Sequence, residues 1–260
     1  TQYYDENMAS VANWDKKEGT VLYAYWIPHT FSVAFDKNGG TGGSNDVIAS
    51  YEQPMPSAIK PTKTGYRFVG YYLGNEPYYD ENMNSTNNWN FAENGKTLIA
   101  KWSKREYPVV LNIVDNLTDN ITVTYDEPMP PKNKPTRLGY EFKGYYTQPN
   151  GQGEQYYDED MTSGRNWDID TEETVYLYAH WIQKSYTITF HYNDGTDRIE
   201  KVQDIHYGDK FPNVNYKSSK VGYAFKGYYA ESGEIYYTNE MKPTKVDYLV
   251  DGDLDLYAEL

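Results

Sequence analysis

Four histidines and one cluster of aspartates are the residues of this sequence whose types could do chemistry. Imidazoles serve as general bases or metal ligands, and clustered carboxylates bind calcium. The histidines are His29, His180, His191 and His206. The sequence has no nucleophile elbow, no phosphate-binding glycine loop and no zinc-ligand spacing to accompany them. We therefore expect no catalytic residue, no cofactor and no metal site, and no enzyme activity.

The aspartate cluster is the segment DGDLD at residues 251–255. An EF-hand loop needs acidic ligands at set positions and a glutamate at its twelfth position, and this segment lacks that frame. The corresponding earlier stretches, AENGKT and TEETVY, share no ligand pattern with it. A solvated acidic turn is favoured over calcium binding, which the sequence leaves open.

Tyrosine is unusually abundant, with 30 among 260 residues. Its ring can build a core while its hydroxyl stays at the rim. Tyr71, Tyr145 and Tyr228 occupy one position of a recurring GYxFxGYY strand, and simple alternation predicts that they face outward. One exposed aromatic per repeat would suit sugar stacking or protein contact. The favoured alternative is that a neighbouring module or loop covers them.

A long sequence repeat positions all of these residues. YYDENM at residues 3–8 recurs at 78–83, as YYDEDM at 156–161 and as YYTNEM at 236–241, at spacings of 75, 78 and 80 residues. All six tryptophans and all six methionines fall in repeat slots. The chain is therefore predicted to contain the C-terminal half of a repeat (1–27) and three modules (28–102, 103–181 and a divergent, cap-like 182–260). Beginning in mid-repeat is expected of a piece of a longer protein.

Each module is predicted to be mostly β. Alternating segments such as Phe31, Val33 and Phe35 open a hairpin, a proline-punctuated PMP segment follows, and two more strand patterns come later. The recurring glycine of the GYxFxGYY strand indicates a bulge or a close packing contact. Asp5, Asp80 and Asp158 are candidate N-caps of one short helix. An α+β class follows.

Composition excludes several classes of protein. The net charge is −14 and the pI is about 4.7, which disfavours binding to a phosphate backbone. No apolar run approaches the 18 residues of a membrane span. There is no cysteine, so small modules of this kind must be stable without disulfides. The short connections IPHT, SKRE and IQKS predict a semi-rigid, elongated array.

Four blocks in a fixed order carry a family resemblance: TFSVAFDKNGG, PMP with GYRFVGYY, YYDENM with NW, and TLIAKW. They resemble the Listeria–Bacteroides repeat, the B-repeat of internalin-type bacterial surface proteins. The third module departs from the pattern, because NW becomes DY at residues 247–248 and the closing Trp becomes Leu260. The resemblance implies a small β-grasp-like (ubiquitin-like) module and an extracellular or bacterial cell-surface setting. It implies no catalysis and no defined ligand residues.

The sequence as a whole predicts a non-catalytic tandem-repeat segment of a bacterial cell-surface or secreted protein, acting as a semi-rigid spacer or stalk and as a candidate adhesion module. The alternative is a carbohydrate-binding array attached to a secreted enzyme. Candidate partners are a host surface protein or glycan, or a bacterial wall polysaccharide, with no nucleic acid and no membrane insertion. A half-repeat leaves a strand edge unpaired, and three outcomes stay open for residues 1–27: disorder, docking on the next module, or head-to-tail self-association with a strand of another chain.

Overall fold

Three five-stranded β-sheets make up most of the molecule. A computed structural model describes all 260 residues, which divide into two compact units: Thr1–Lys63 with Phe68–Trp102, and Thr64–Arg67 with Ser103–Leu260. Each sheet has the strand order 2-1-5-3-4 when its main strands are counted along the chain. The first and last strands lie side by side at the centre and run parallel.

The strand bounds are as follows. The first sheet contains β1 (Thr30–Asp36), β3 (Asp46–Ser50), β5 (Tyr66–Leu73), β6 (Glu76–Tyr79) and β7 (Lys96–Lys104), and the two-residue strands β2 (Thr41–Gly42) and β4 (Pro61–Thr62) pair beside it. The second contains β8 (Glu106–Val114), β9 (Leu117–Thr124), β10 (Tyr140–Gln148), β11 (Gln152–Tyr157) and β12 (Val175–Gln183). The third contains β13 (Tyr186–His191), β14 (Ile199–Ile205), β15 (Gly227–Tyr229), β16 (Ile235–Thr238) and β17 (Leu254–Glu259).

Hydrophobic alternation sets which face of each sheet forms the core. In β8 the side chains of Tyr107, Val109 and Leu111 are buried, and the parallel partner β12 adds the fully buried Leu177. Trp167 closes this core with no exposed surface. The other two sheets repeat the arrangement, so every module has its own core beneath one sheet face.

A glycine bulge interrupts the alternation in the third main strand of each module. Gly70, Gly144 and Gly227 have φ values of 152°, 116° and 144°. A Cβ at any of them would lie less than 3.0 Å from a carbonyl oxygen of the neighbouring strand. In the second module the register between β10 and β12 shifts between Phe142 and Tyr145, across this glycine. The predicted bulge is confirmed.

The predicted outward orientation of Tyr71, Tyr145 and Tyr228 is wrong because of this bulge. The extra residue moves the tyrosine that follows the glycine onto the core face, where all three are at most 1% exposed. Each ring packs against the phenylalanine three residues earlier, at centroid distances of 5.2, 5.2 and 5.4 Å. The next tyrosine of each strand is the half-buried one, and these residues are Tyr72, Tyr146 and Tyr229.

The helix expected after the YYD motif is a tight turn instead. The Asp80 carboxylate accepts hydrogen bonds from the backbone N–H groups of Asn82 and Asn84, both at 2.8 Å. Asp5 and Asp158 accept the equivalent pairs of amides. The methionine three residues after each aspartate has φ between 61° and 66°, a left-handed conformation that stops a helix.

The α part of the predicted α+β class is therefore not confirmed. The structure has no α-helix, and its one helical turn is a 3-10 turn at Pro149–Gly151. The PMP segments form no helix: beyond single bridges at Pro54 and Pro128 they have no regular secondary structure. Hydrogen bonds hold the second of these segments in place, as Tyr157 donates its hydroxyl to the Pro130 carbonyl at 2.5 Å and Ser163 Oγ accepts the Met129 N–H at 2.9 Å. The module is nearly all β.

The connections between the sheets are shorter than the sequence predicts. β7 continues past Trp102 to Lys104, and β12 continues past Trp181 to Gln183. Only Arg105 remains between β7 and β8, and only two residues remain between β12 and β13. The sheets thus extend about two residues beyond the module boundaries at 102 and 181, which stay predictions.

Residues 1–27 contain two turns, at residues 6–7 and 18–19, and no strand. Tyr4 pairs with Ser10 in the bridge that the other three copies of the motif also form, and the Tyr3 and Trp14 rings lie 5.2 Å apart. The segment aligned with the last strand of a module is unpaired, and Tyr23 and Trp26 are 89% and 85% exposed. Head-to-tail pairing through this segment stays a prediction.

Replacing the bulge glycine should destabilise the second module. Gly144→Ala places a Cβ against the Tyr157 carbonyl at an unfavourable φ, so we expect a loss of about 2–5 kcal/mol in the free energy of unfolding. Urea denaturation monitored by tryptophan fluorescence measures it. Gly164→Ala in the same module is the control, since nothing lies within 3.7 Å of its Cβ. Equal effects of the two substitutions would contradict the role assigned to the bulge.

Candidate functional site

The four histidines do not form a catalytic group. His191 stacks on Tyr257 at a centroid distance of 4.5 Å and lies 2.8 Å from Asp255, while His206 contacts Asp209 at 3.2 Å. His29 is exposed, and His180 packs beside the 3-10 turn. No group of three or more histidine and acidic side chains in the chain is close enough to hold a metal ion.

The aspartates of the DGDLD segment point to different partners. Asp253 accepts the Thr187 N–H at 2.8 Å, and Asp255 contacts His191. Asp251 accepts a hydrogen bond from the Tyr186 hydroxyl. The three carboxylates therefore do not converge on one point as calcium ligands must. Instead, Asp251 belongs to a site that the sequence reasoning missed.

That site occurs twice in the second unit and has the same parts each time. In its first occurrence the Asp170 carboxylate accepts the Tyr107 hydroxyl at 2.6 Å and the Arg105 guanidinium at 2.9 Å. The other oxygen of the Asp170 carboxylate accepts the backbone N–H of Gly65 at 2.7 Å. The backbone N–H of Arg105 donates to the Gly65 carbonyl at 3.0 Å. We call Arg105, Tyr107, Tyr125 and Asp170 a carboxylate socket, and residues 64–66 the Gly–Tyr loop seated in it.

The second occurrence joins the second and third modules. The Gly139 N–H donates to Asp251 at 3.3 Å, the Lys184 N–H donates to the Gly139 carbonyl at 2.8 Å, and the Lys184 ammonium lies 3.4 Å from Asp251. Tyr186 supplies the hydroxyl to this carboxylate. The carboxylate socket here is Lys184, Tyr186, Tyr207 and Asp251, and the seated Gly–Tyr loop is residues 138–140.

Only glycine fits at the centre of a seated loop. Gly65 and Gly139 have φ values of 74° and 76°, in the left-handed region. A Cβ on Gly65 would lie less than 3.0 Å from the Tyr125 ring, and one on Gly139 would lie as close to Tyr207. The tyrosine forms the floor of the socket, and the glycine backbone rests directly on it.

The hydrogen bonds shift the titration of the socket residues. The tyrosine hydroxyl and the glycine amide both favour the ionised carboxylate, so the pKa of Asp170 is lowered, and the pKa of Asp251 is lowered chiefly by Tyr186. Burial, followed by the bond to the aspartate, raises the pKa of Tyr107 and of Tyr186 to about 12. At neutral pH the socket therefore holds a carboxylate and a protonated phenol, which is the pair that this geometry needs.

The first module lacks the polar parts of a socket. Phe31 of β1 aligns with Tyr107 of β8 and Tyr186 of β13, and Ala92 aligns with the two aspartates. His29 replaces the basic residue, and only the floor tyrosine remains, as Tyr51. Since the hydroxyl and the carboxylate are lost together, the two residues act as a pair. This paired difference between modules is the sequence signal that could have revealed the site.

The chain belongs to the Listeria–Bacteroides repeat family. The model of the Listeria–Bacteroides repeat domain matches residues 31–101, 113–180 and 186–259, in three tandem copies. The first 30 residues lie outside these matches. The family resemblance noted in the sequence is thus confirmed.

The relatives of the chain are long proteins that share the repeat. A protein of Evansella cellulosilytica named as a Gly-rich membrane protein is 28% identical over 254 residues, which cover 93% of this chain and 26% of the relative. Internalin H of Listeria monocytogenes is 28% identical over 168 residues, covering 60% of this chain and 26% of the relative. The chain therefore spans about a quarter of the length of these relatives. No helix in the structure is long and apolar enough to cross a membrane.

Acid should release the Gly–Tyr loop of the second module from its socket. Because the pKa of Asp251 is lowered in the folded joint, the bound state is favoured above the ordinary value of 3.8 and lost as pH falls through the lowered value. We expect the amide resonance of Gly139 in a ¹H–¹⁵N spectrum to be constant from pH 7 to about 4 and to shift below that range.

Asp251→Asn should abolish this titration of the Gly139 resonance, since the group on which it depends is gone. Asp197→Asn removes an equal charge from an exposed position without a hydrogen-bond partner and should leave the titration intact. A Gly139 shift that persists in Asp251→Asn would show that another group controls the joint.

Proposed function

We propose that this chain is a non-catalytic tandem-repeat segment of a bacterial cell-surface or secreted protein, and that it acts as a semi-rigid spacer. The family membership and the relatives, among them an internalin, support this setting. The observation that carries the spacer role is the joint between the second and third modules. There a two-residue connection and a seated Gly–Tyr loop hold two sheets together.

The joint restricts motion at both of its ends. β12 and β13 leave only Lys184 and Ser185 between them, and the Lys184 N–H is bonded to the Gly139 carbonyl at 2.8 Å. A backbone hydrogen bond of this kind contributes about 0.5–1.5 kcal/mol. The packing of Gly139 on Tyr207 adds to it, and the carboxylate bond orients the loop. A spacer needs such joints, because a flexible connection of the same length would let its modules fold back on each other.

We propose in addition that each module is a helix-less variant of the β-grasp fold. The strand order 2-1-5-3-4 with a parallel central pair supports this assignment. Between the second and third main strands, where that fold has its crossing helix, each module instead has a proline-containing segment whose carbonyl is bonded to a buried tyrosine.

A substitution at the loop glycine tests the spacer role. Gly139→Val should free the joint, because the new side chain would overlap Tyr207. Spin labels on exposed positions of the second and third modules, measured by pulsed electron paramagnetic resonance, should give one narrow distance distribution in the parent chain and a broad one in Gly139→Val.

Gly222→Val is the matched control for this experiment. Gly222 has a similar φ of 83°, so the loop strain is the same, but nothing lies within 4 Å of its Cβ. We expect the control to keep the narrow distribution. A broad distribution in the parent chain would count against the spacer role itself.

A glycan-binding role is the second candidate, and one surface favours it. An open depression in the third module is lined by Tyr229, Glu231, Tyr257 and Glu259, and Tyr257 is 37% exposed. Aromatic rings beside carboxylates suit a sugar, since the ring stacks on its apolar face and the acids accept its hydroxyls. This surface replaces Tyr71, Tyr145 and Tyr228, whose burial gives a ligand no access.

Binding measurements separate an adhesion module from a pure spacer. The chain should be screened against wall polysaccharides, mucins and host matrix proteins at physiological salt. If the depression binds glycans, Tyr257→Ala should weaken binding at least about tenfold, the loss of a stacked aromatic. Tyr176→Ala, which removes an exposed tyrosine from the second module, should have no effect. Absence of saturable binding by the folded parent chain would exclude this role for the ligands screened.

A further inference from the structure

The third module presents the same Gly–Tyr loop, at residues 221–223, with nothing seated against it. Val221 is fully exposed and Tyr223 is 60% exposed. No atom lies within 4 Å of the position of a Cβ on Gly222. Neither the N–H nor the carbonyl of Gly222 forms a hydrogen bond, whereas both groups of Gly65 and Gly139 are bonded. Both backbone groups of Gly222 are therefore free to bond.

This loop has the conformation of the two seated loops. The φ of Gly222 is 83°, against 74° and 76° at Gly65 and Gly139. The Tyr223 N–H donates to the Lys220 carbonyl at 3.1 Å, as the Tyr140 N–H does to the Arg137 carbonyl. In both loops the basic side chain also lies over the tyrosine ring, at 4.7 and 3.8 Å. The loop is therefore formed before anything binds to it, so binding costs little ordering.

The strand behind the loop is also short of a partner. In the second module Tyr140 pairs with Gln183 and Glu141 pairs with Ile182, both of which follow the closing Trp181. The corresponding strand of the third module, β15, begins only at Gly227, four residues after Tyr223. A chain segment that paired with Tyr223 and Ala224 as Gln183 and Ile182 pair with Tyr140 and Glu141 would bring its next residues to the loop.

We propose that residues 221–223 are the docking surface for a further repeat module that carries a complete carboxylate socket. This inference rests on the proposed spacer function. The partner is defined by its chemistry: an aspartate with one oxygen held by a tyrosine hydroxyl, an aromatic floor and a basic residue. The aspartate accepts the Gly222 N–H, and the backbone N–H of the basic residue donates to the Gly222 carbonyl.

The socket chemistry also selects against one alternative partner, a second copy of this chain docking through its first module. That module offers Phe31 and Ala92 in place of the tyrosine and the aspartate. It would leave the Gly222 N–H without an acceptor and replace a charge-assisted bond by a methyl group. We therefore expect the chain alone to leave this loop open at any practical concentration.

The test is a chain extended by one module. A second copy of residues 182–260 is joined directly after Leu260, which places a Lys–Tyr–Tyr–Asp socket next to the loop. Hydrogen exchange of the Gly222 amide is then compared with that of Gly139, whose loop is seated in the same molecule. We expect Gly222 to exchange freely in the parent chain and to become as protected as Gly139 in the extended one.

Two variants of the extended chain isolate the contact. Asp251→Ala in the added copy removes the acceptor, and Gly222→Val removes the close approach to the floor tyrosine. Both should return residue 222 and its neighbours to the exchange of the parent chain, while the added core stays protected. In the added copy, slow exchange at Leu256 shows that the module has folded.

Two results would overturn the proposal. One is free exchange of Gly222 in an extended chain whose added module is folded. The other is protection of Gly222 in the parent chain as its concentration rises, which would make a second copy the partner. If Gly222 exchanges freely in that extended chain, the distance distribution across the Gly139 joint separates the two proposals. A narrow distribution would support the spacer function alone, and a broad one would contradict both the spacer function and the docking surface.

Discussion

Two kinds of glycine have no room for a Cβ, and most of the structure depends on them. The first is the bulge glycine of each module, which lies against a carbonyl oxygen of the neighbouring strand, and the bulge determines which tyrosine of its strand packs into the core. The second is the loop glycine at the two seated positions, where Gly65 and Gly139 rest on Tyr125 and Tyr207. Glycine is weak in a strand because it has no side chain to pack. At these positions the absence of a side chain allows the glycine backbone to lie directly against a carbonyl oxygen or a tyrosine ring.

Tyrosine side chains fill much of these cores, where other proteins have purely apolar residues. In each complete module the second tyrosine of the YYD motif, or of the corresponding YYT in the third module, is fully buried and donates its hydroxyl to a proline carbonyl at 2.5–2.7 Å. The acceptor lies in the PMP segment of the first two modules and is Pro212 in the third. One side chain thus fills the core and fixes a segment that belongs to none of the strands. This dual use explains how a chain with 38% hydrophobic residues and no cysteine holds three small cores. In the first module two buried aromatic side chains lack this hydrogen bonding, because the Tyr71 hydroxyl and the Trp89 ring N–H have no partner.

The sequence was informative about local pattern and uninformative about contacts between distant residues. The repeat, the strand segments and the bulge glycines follow from spacing and alternation, which are local properties. The orientation of Tyr145 does not, because alternation holds only until the bulge changes the face. The expected helix failed for a similar reason: the Asp80 carboxylate can cap a helix or close a turn, and the left-handed Met83 decides for the turn. The socket joins Gly65 to Asp170 and Gly139 to Asp251, 105 and 112 residues apart, and neither the GYxFxGYY motif nor the aspartate indicates that the two ends meet.

The pairing of tyrosine and aspartate in the socket implies that the joints of such an array are not equal. A tyrosine without the acid would bury a hydroxyl with no acceptor, and an acid without the tyrosine would lose the donor that keeps it ionised and oriented. The modules of this chain are accordingly of two kinds: the second and third have Tyr107 and Asp170 or their equivalents, and the first has Phe31 and Ala92. A loop that meets the first kind is held by a charged acceptor, and one that meets the second kind has only the aromatic floor. The order of the two kinds along a chain would then set where the spacer is stiff and where it bends.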